Sequence, residues 1–122
     1  NLAILGRVKL AQGHVSEAQQ LLVESLRLGW FGKKPLAVSH SLGFLAELNI
    51  AKGSLKQAVN LLSFLSHYKV IEKRDRDEAI KILEKAKEHL SARDFAKAQE
   101  ESKTLKLEQI VAEILEEGLE AK

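Results

Sequence analysis

Leucine, isoleucine and valine recur along this chain at intervals of three and four residues, and the two-residue alternation of a half-buried strand is absent. In the first stretch Leu2, Leu5, Val8 or Lys9, and Gln12 fall at helical spacing up to Gly13. Glycine there is an expected stop, since it takes positive φ without a Cβ clash. Ser16 is placed to cap a second helix. Its stripe of Ala18, Leu21, Leu22, Ser25 and Leu26 runs on to Gly29. The stretch Leu28 to Pro35 carries the strongest turn chemistry, and Pro35 suits the first turn of a third helix. Asp75, with Glu78 three residues on, has the spacing of a capping box for a fifth helix, whose stripe is Ile80, Leu83, Ala86 and Leu90. A short helix over 92–102 carries Phe95 and Ala98. A last one begins near Lys106, with Leu107, Ile110, Val111, Ile114 and Leu115 on its apolar face. The pattern predicts seven helices and no strand.

The first two hairpins are copies. A shift of forty residues lays Leu2 on Leu42, Leu5 on Leu45, Ala11 on Ala51 and Gly13 on Gly53. It also lays Ala18 on Ala58, Leu21 on Leu61 and Leu22 on Leu62. Gly6 meets Ala46, Leu10 meets Ile50 and Val15 meets Leu55. The small residues let paired helices approach while leucines fill the flanking holes. The expected organisation is one helical-repeat domain over 1–122: a first repeat over 1–28, a second over 39–68, and a degenerate repeat with capping helices over 74–120. Lys103, Lys106, Glu108, Glu113, Glu116 and Glu117 give the last helices a polar outer face, as a cap requires.

Leu5, Gly6, Gly13, Ala18 and Leu22, and again Leu45, Ala46, Gly53, Ala58 and Leu62, follow the skeleton of the tetratricopeptide repeat, which these units resemble. That family's repeat is 34 residues long, so the connection from Gly29 to Pro35 holds six more residues than usual. Lys9 and Asn49 stand where an aromatic is frequent, and Ser25 and Leu65 where alanine is. The segments from Leu90 to Ala98 and from Lys103 to Val111 are similar to the C-terminal end of large bacterial regulators that join a signal-transduction ATPase to such repeats. Gln99, Ser102 and Lys106 depart from their pattern of tryptophan, glycine and cap. The resemblance implies an all-α superhelix of antiparallel hairpins, right-handed, with a groove along the first helix of each unit. It places the groove on Ala3, Arg7 and Leu10 in one unit and on His40, Gly43, Glu47 and Ile50 in the other. Arg7 and Glu47 would offer opposite charge to a peptide or subunit. The clamp that some relatives close on a C-terminal carboxylate is not matched, because Ala3 and Gly43 occupy key positions.

Composition narrows the function classes. The 122 residues are 45% apolar and 30% charged, which fits a packed soluble domain. No cysteine is present, so a disulfide scaffold, a cysteine-ligated metal and a cysteine nucleophile are excluded. No apolar run has the roughly 18–20 residues that span a bilayer, and no signal peptide opens the chain. The chain starts at Asn1, which reads as a segment of a longer protein. Its net charge of +2 is too small to argue for nucleic acid, although seven basic against three acidic residues in 1–61 and twelve against fourteen in 62–122 make a dipole.

No convergent chemistry emerges. The glycines form no phosphate cradle with Lys-Ser/Thr. His14, His40, His67 and His89 lie far apart and lack the spacing of a helical metal site. Glu84 and Glu88 sit among Lys81, Lys85 and Lys87 as a solvated lattice, and neither these nor Glu100–Glu101 have apolar surroundings to tune an acid. No serine has a triad partner. Trp30 and Phe31, beside Lys33 and Lys34, are either an exposed aromatic anchor for a partner or a lid folded over Leu26 and Leu28, the second being the commoner fate of large aromatics. The expectation is a non-enzyme without cofactor or metal: a cytoplasmic protein-interaction or sensor module of a bacterial signalling or transcription regulator. It would bind a protein, a peptide or upstream domains. The alternatives are a small-ligand inducer sensor and a free-standing, homo-oligomerising adaptor.

Overall fold

A computed structural model describes residues 2–68 and 73–120, residues 117–120 by backbone alone. The described residues form seven helices and no strand: α1 (Leu2–Ala11), α2 (Val15–Phe31), α3 (Pro35–Ala51), α4 (Leu55–His67), α5 (Lys73–Lys87), α6 (Ala92–Ser102) and α7 (Leu107–Glu120). The fold is all-α and repeat-like, with each of the first four helices packed on the next wherever the chain turns.

The repeat sets the core. Ala18, Leu22, Ala46, Ala58 and Leu62 are all completely buried, at the positions that the forty-residue shift picks out. Each fully buried leucine contributes roughly 1.5–3 kcal/mol relative to exposure. Gly6, facing Leu22, has no room for a side chain: an added Cβ would stand 2.8 Å from Leu22 Cγ. Ser25 and Ser41 are hydrogen-bonded through their hydroxyls at 2.9 Å, which satisfies polar atoms where α2 meets α3.

Three turns close in the same way. After α1 the His14 N–H donates to Lys9 O at 2.9 Å and Gly13 N–H to Leu10 O at 3.0 Å, with Gly13 at φ +85°. After α3 the Ser54 N–H donates to Asn49 O at 2.8 Å and Gly53, at φ +83°, donates to Ile50 O. These are Schellman closures with glycine in the left-handed position. After α2 the same bonds form, Lys34 N–H to Gly29 O and Lys33 N–H to Trp30 O, but the left-handed residue is Lys33 at φ 55°.

Several element ends differ from the sequence pattern. Gly29 does not end α2; it is buried inside the helix, where its missing Cβ lets Val38 and Ala37 approach. The loop therefore shrinks to Gly32–Lys34. His14 rather than Ser16 precedes α2, with no side-chain cap bond. Asp75 lies within the first turn of α5 and does not cap it. An acid there still favours the helix dipole. On α5 the buried face is Ala79, Leu83 and Ala86, one residue round from Ile80, which is exposed. On α1 it is Ala3 and Gly6, so Leu5 and Val8 lie outside. Ser91 does cap α6, accepting from Asp94 N–H at 3.1 Å.

The last three helices depart from the hairpin rule. α5 and α6 both lie along α4, and α7 returns to α2. Arg76 ties α5 to the end of α4 by donating to Tyr68 O at 3.1 Å. The α4 helix, covered from α3, α5 and α6, buries an unbroken run from Leu61 to Leu65.

Candidate functional site

α1, α3 and α5 succeed one another along one face, and their polar side chains meet there. Arg7 and Glu47 are repeat-equivalent, forty residues apart. Stacking of the units brings Arg7 Nε to 3.8 Å from Glu47 Oε2. The same guanidinium lies 5.3 Å from the centre of the Phe44 ring. One turn earlier on α3, His40 Nε2 stands 2.8 Å from Asp75 Oδ2 on α5. That is ion-pair distance when the imidazole is protonated. The Asp75 oxygen itself is shielded from water.

Between these pairs is a recess of about 40 Å³, lined by His40, Gly43, Phe44, Glu47, Asp75 and Glu78 among others. A Cβ built on Gly43 would touch nothing within 4 Å, so the floor is open there. Burial holds the Glu47 carboxyl above its usual range; Arg7 pulls it down and the Glu78 carboxylate pushes it up. Three carboxylates, Glu47, Asp75 and Glu78, therefore share the recess with His40, beside Arg7. The face is short of positive charge.

Of the residues expected to line the groove, Arg7, His40, Gly43 and Glu47 are brought together. Ala3 is a correction: it is buried in the core, beneath the surface that a ligand could reach. Leu10 and Ile50 are half-buried and pack against the core, so they too serve the hairpins rather than the recess. Phe44, Asp75 and Glu78 were not anticipated. Asp75 and Glu78 had been read as caps; with α5 starting at Lys73, their spacing instead puts both on the face toward α3.

The aromatic pair divides. Trp30 is half-buried against the core, while Phe31, at the last turn of α2, is 71% exposed, with Leu28 exposed one turn before it. The helix runs to Phe31, and a helical turn sends consecutive side chains in different directions.

A second concavity lies on the other side of α3, lined from α2, α3, α4 and α7. Its volume is about 190 Å³. Its polar rim is rich in uncharged amides: Gln19, Asn49, Gln57 and Asn60.

Among the described residues no group of histidine and carboxylate side chains could hold a metal ion, and no helix is long and apolar enough to cross a membrane. Set against protein-family models, curated proteins and solved structures, the chain matches none.

Proposed function

We propose that this chain is a non-catalytic protein-interaction module of divergent tetratricopeptide-like repeats, and that its α1–α3–α5 face holds a partner segment by a basic side chain. The observation that carries this is the convergence of the Glu47, Asp75 and Glu78 carboxylates on one recess beside Arg7 and His40. An ammonium or guanidinium group seated there would donate to these carboxylates and offset their mutual repulsion. Phe44 adds an aromatic surface on which such a group can lie. In a bacterial cytoplasmic signalling or transcription regulator, which the repeat pattern and the tail suggest, occupancy of this face would be passed to neighbouring domains as a binding event. No bond would be made or broken.

The test is an NMR titration of the chain with short extended peptides that carry one lysine or arginine among small residues. Shifts are expected at His40, Gly43, Glu47 and Asp75. Affinity should fall with added salt, and Glu47→Gln with Glu78→Gln should weaken it by roughly tenfold, about the loss of one charge-assisted contact. Equal binding of matched glutamate peptides, or no binding of either, would remove the proposal.

A further inference from the structure

We propose that the cleft under α7 is a binding site for a free apolar α-amino acid of about the size of leucine. It is independent of the α1–α3–α5 face and lies on the opposite side of α3.

The floor and one wall are aliphatic: Leu45 from α3, Leu61 from α4, and Ile110 and Ile114 from α7. At about 190 Å³ the space is a little larger than the roughly 150 Å³ apolar cavity that accepts benzene, so it suits a molecule of about ten non-hydrogen atoms. Unlike such a cavity, this one has a polar rim of both signs. Lys52 brings an ammonium group, which donates to Gln19 Oε1 at 3.2 Å. Glu113 on α7 brings a carboxylate.

The two rim charges decide the chemistry. An occupant that offers an N–H to Glu113, an acceptor to Lys52, and an aliphatic body to Leu45, Leu61, Ile110 and Ile114 satisfies all three. A zwitterionic amino acid with an apolar side chain is the small molecule that carries these groups on one carbon. α7 packs as a helix on α2, so a ligand held between α3, α4 and α7 would also fasten α7.

The experiment is calorimetry of the whole chain with L-leucine, beside two half-molecules: 4-methylpentanoate, which lacks the amine, and 3-methylbutylamine, which lacks the carboxylate. Leucine should bind with a dissociation constant between about 10 μM and 1 mM, the range open to nine non-hydrogen atoms. Each half-molecule should bind at least tenfold more weakly. Glu113→Gln and Lys52→Met should each cost tenfold or more. Both residues are exposed at the rim, so both variants test the site without disturbing packing. Leucine should also slow amide exchange along α7, and Lys85→Glu, exposed on α5 and away from both recesses, should leave binding unchanged. No saturation with leucine by about 10 mM would overturn the proposal, as would equal binding of leucine and its half-molecules.

Discussion

Leu22 in α2 and Leu62 in α4 are both completely buried, whereas Leu5 and Leu45, equally well matched in the repeat, are 45% and 5% exposed. Val8 and Leu48 divide in the same way, 45% against 1%. Positions that face the partner helix within a hairpin have the same fate in both units. Positions that face the unit before do not. Leu45 and Leu48 look toward α2, where Val23 and Gln19 share a wall with them; α1 has no described element on the corresponding side. A repeated motif thus encodes two surfaces, and only the one inside the hairpin is buried by the motif itself.

Truncating the leucines is the largest test of that difference. Leu62→Ala and Leu22→Ala should each cost about 2–5 kcal/mol, since both leave a cavity that the neighbours cannot fill. Leu45→Ala should fall in the same range, and Leu5→Ala below about 1 kcal/mol. Urea denaturation measures all four. Equal losses at Leu5 and Leu45 would mean that the outer face of α1 is covered in solution. A second copy of the chain would then be the simplest cover, and the unfolding midpoint would rise with protein concentration.

The same contrast explains what the sequence made legible. The spacing of Leu5, Gly6, Gly13, Ala18 and Leu22 and its copy locate two hairpins and their inner core, because helix period and close approach are local properties. The α1 stripe misled, because leucine records a buried face only where something covers it. Gly29 misled for a related reason: a glycine can mark a turn or a close contact, and the contact with Val38 is visible only once α3 is in place. The recess between α3 and α5 was half legible. Arg7 and Glu47 follow from the repeat register, but Asp75 and Glu78 depend on where α5 begins, and terminal residues are the least determined part of a helix. The cleft under α7 depends on a long-range return to α2 that no local pattern encodes.

The three helix closures offer a smaller test. Gly13 and Gly53 take the left-handed position after α1 and α3; Lys33 takes it after α2, where the neighbouring glycine, Gly32, falls one residue early. Gly53→Ala and Gly13→Ala should each lose about 1 kcal/mol, since nothing crowds an added Cβ and only the backbone conformation opposes it. Lys33→Gly should gain, by at most about 1 kcal/mol, because the freer unfolded glycine offsets part of the relief. Thermal denaturation distinguishes the signs. A loss at Lys33→Gly would show that the lysine side chain holds the turn by something other than backbone geometry.

The smallest expected effect separates the charges of the two units. Arg7 and Glu47 occupy the same register position, and Glu47 is held away from its ordinary range, raised by burial and by Glu78 against the pull of Arg7. A carboxyl raised in the folded state binds its proton more readily there than in the unfolded chain. Stability therefore rises as pH falls from neutral into the upper carboxylate range, and the cost is fully present above the folded value. Glu47→Gln should remove that slope and leave the protein no less stable at pH 7, since burial already disfavours the anion and a partly exposed pair such as Arg7–Glu47 is worth only about 0–1 kcal/mol. The causes can be tested one by one through the carboxyl carbon shift of Glu47 followed against pH. Glu78→Gln should move its midpoint down. Arg7→Gln should move it up, because the guanidinium that favours the anion is then gone. A Glu47 midpoint that ignores both substitutions would mean that the units do not stack with Arg7, Glu47 and Glu78 on a shared face.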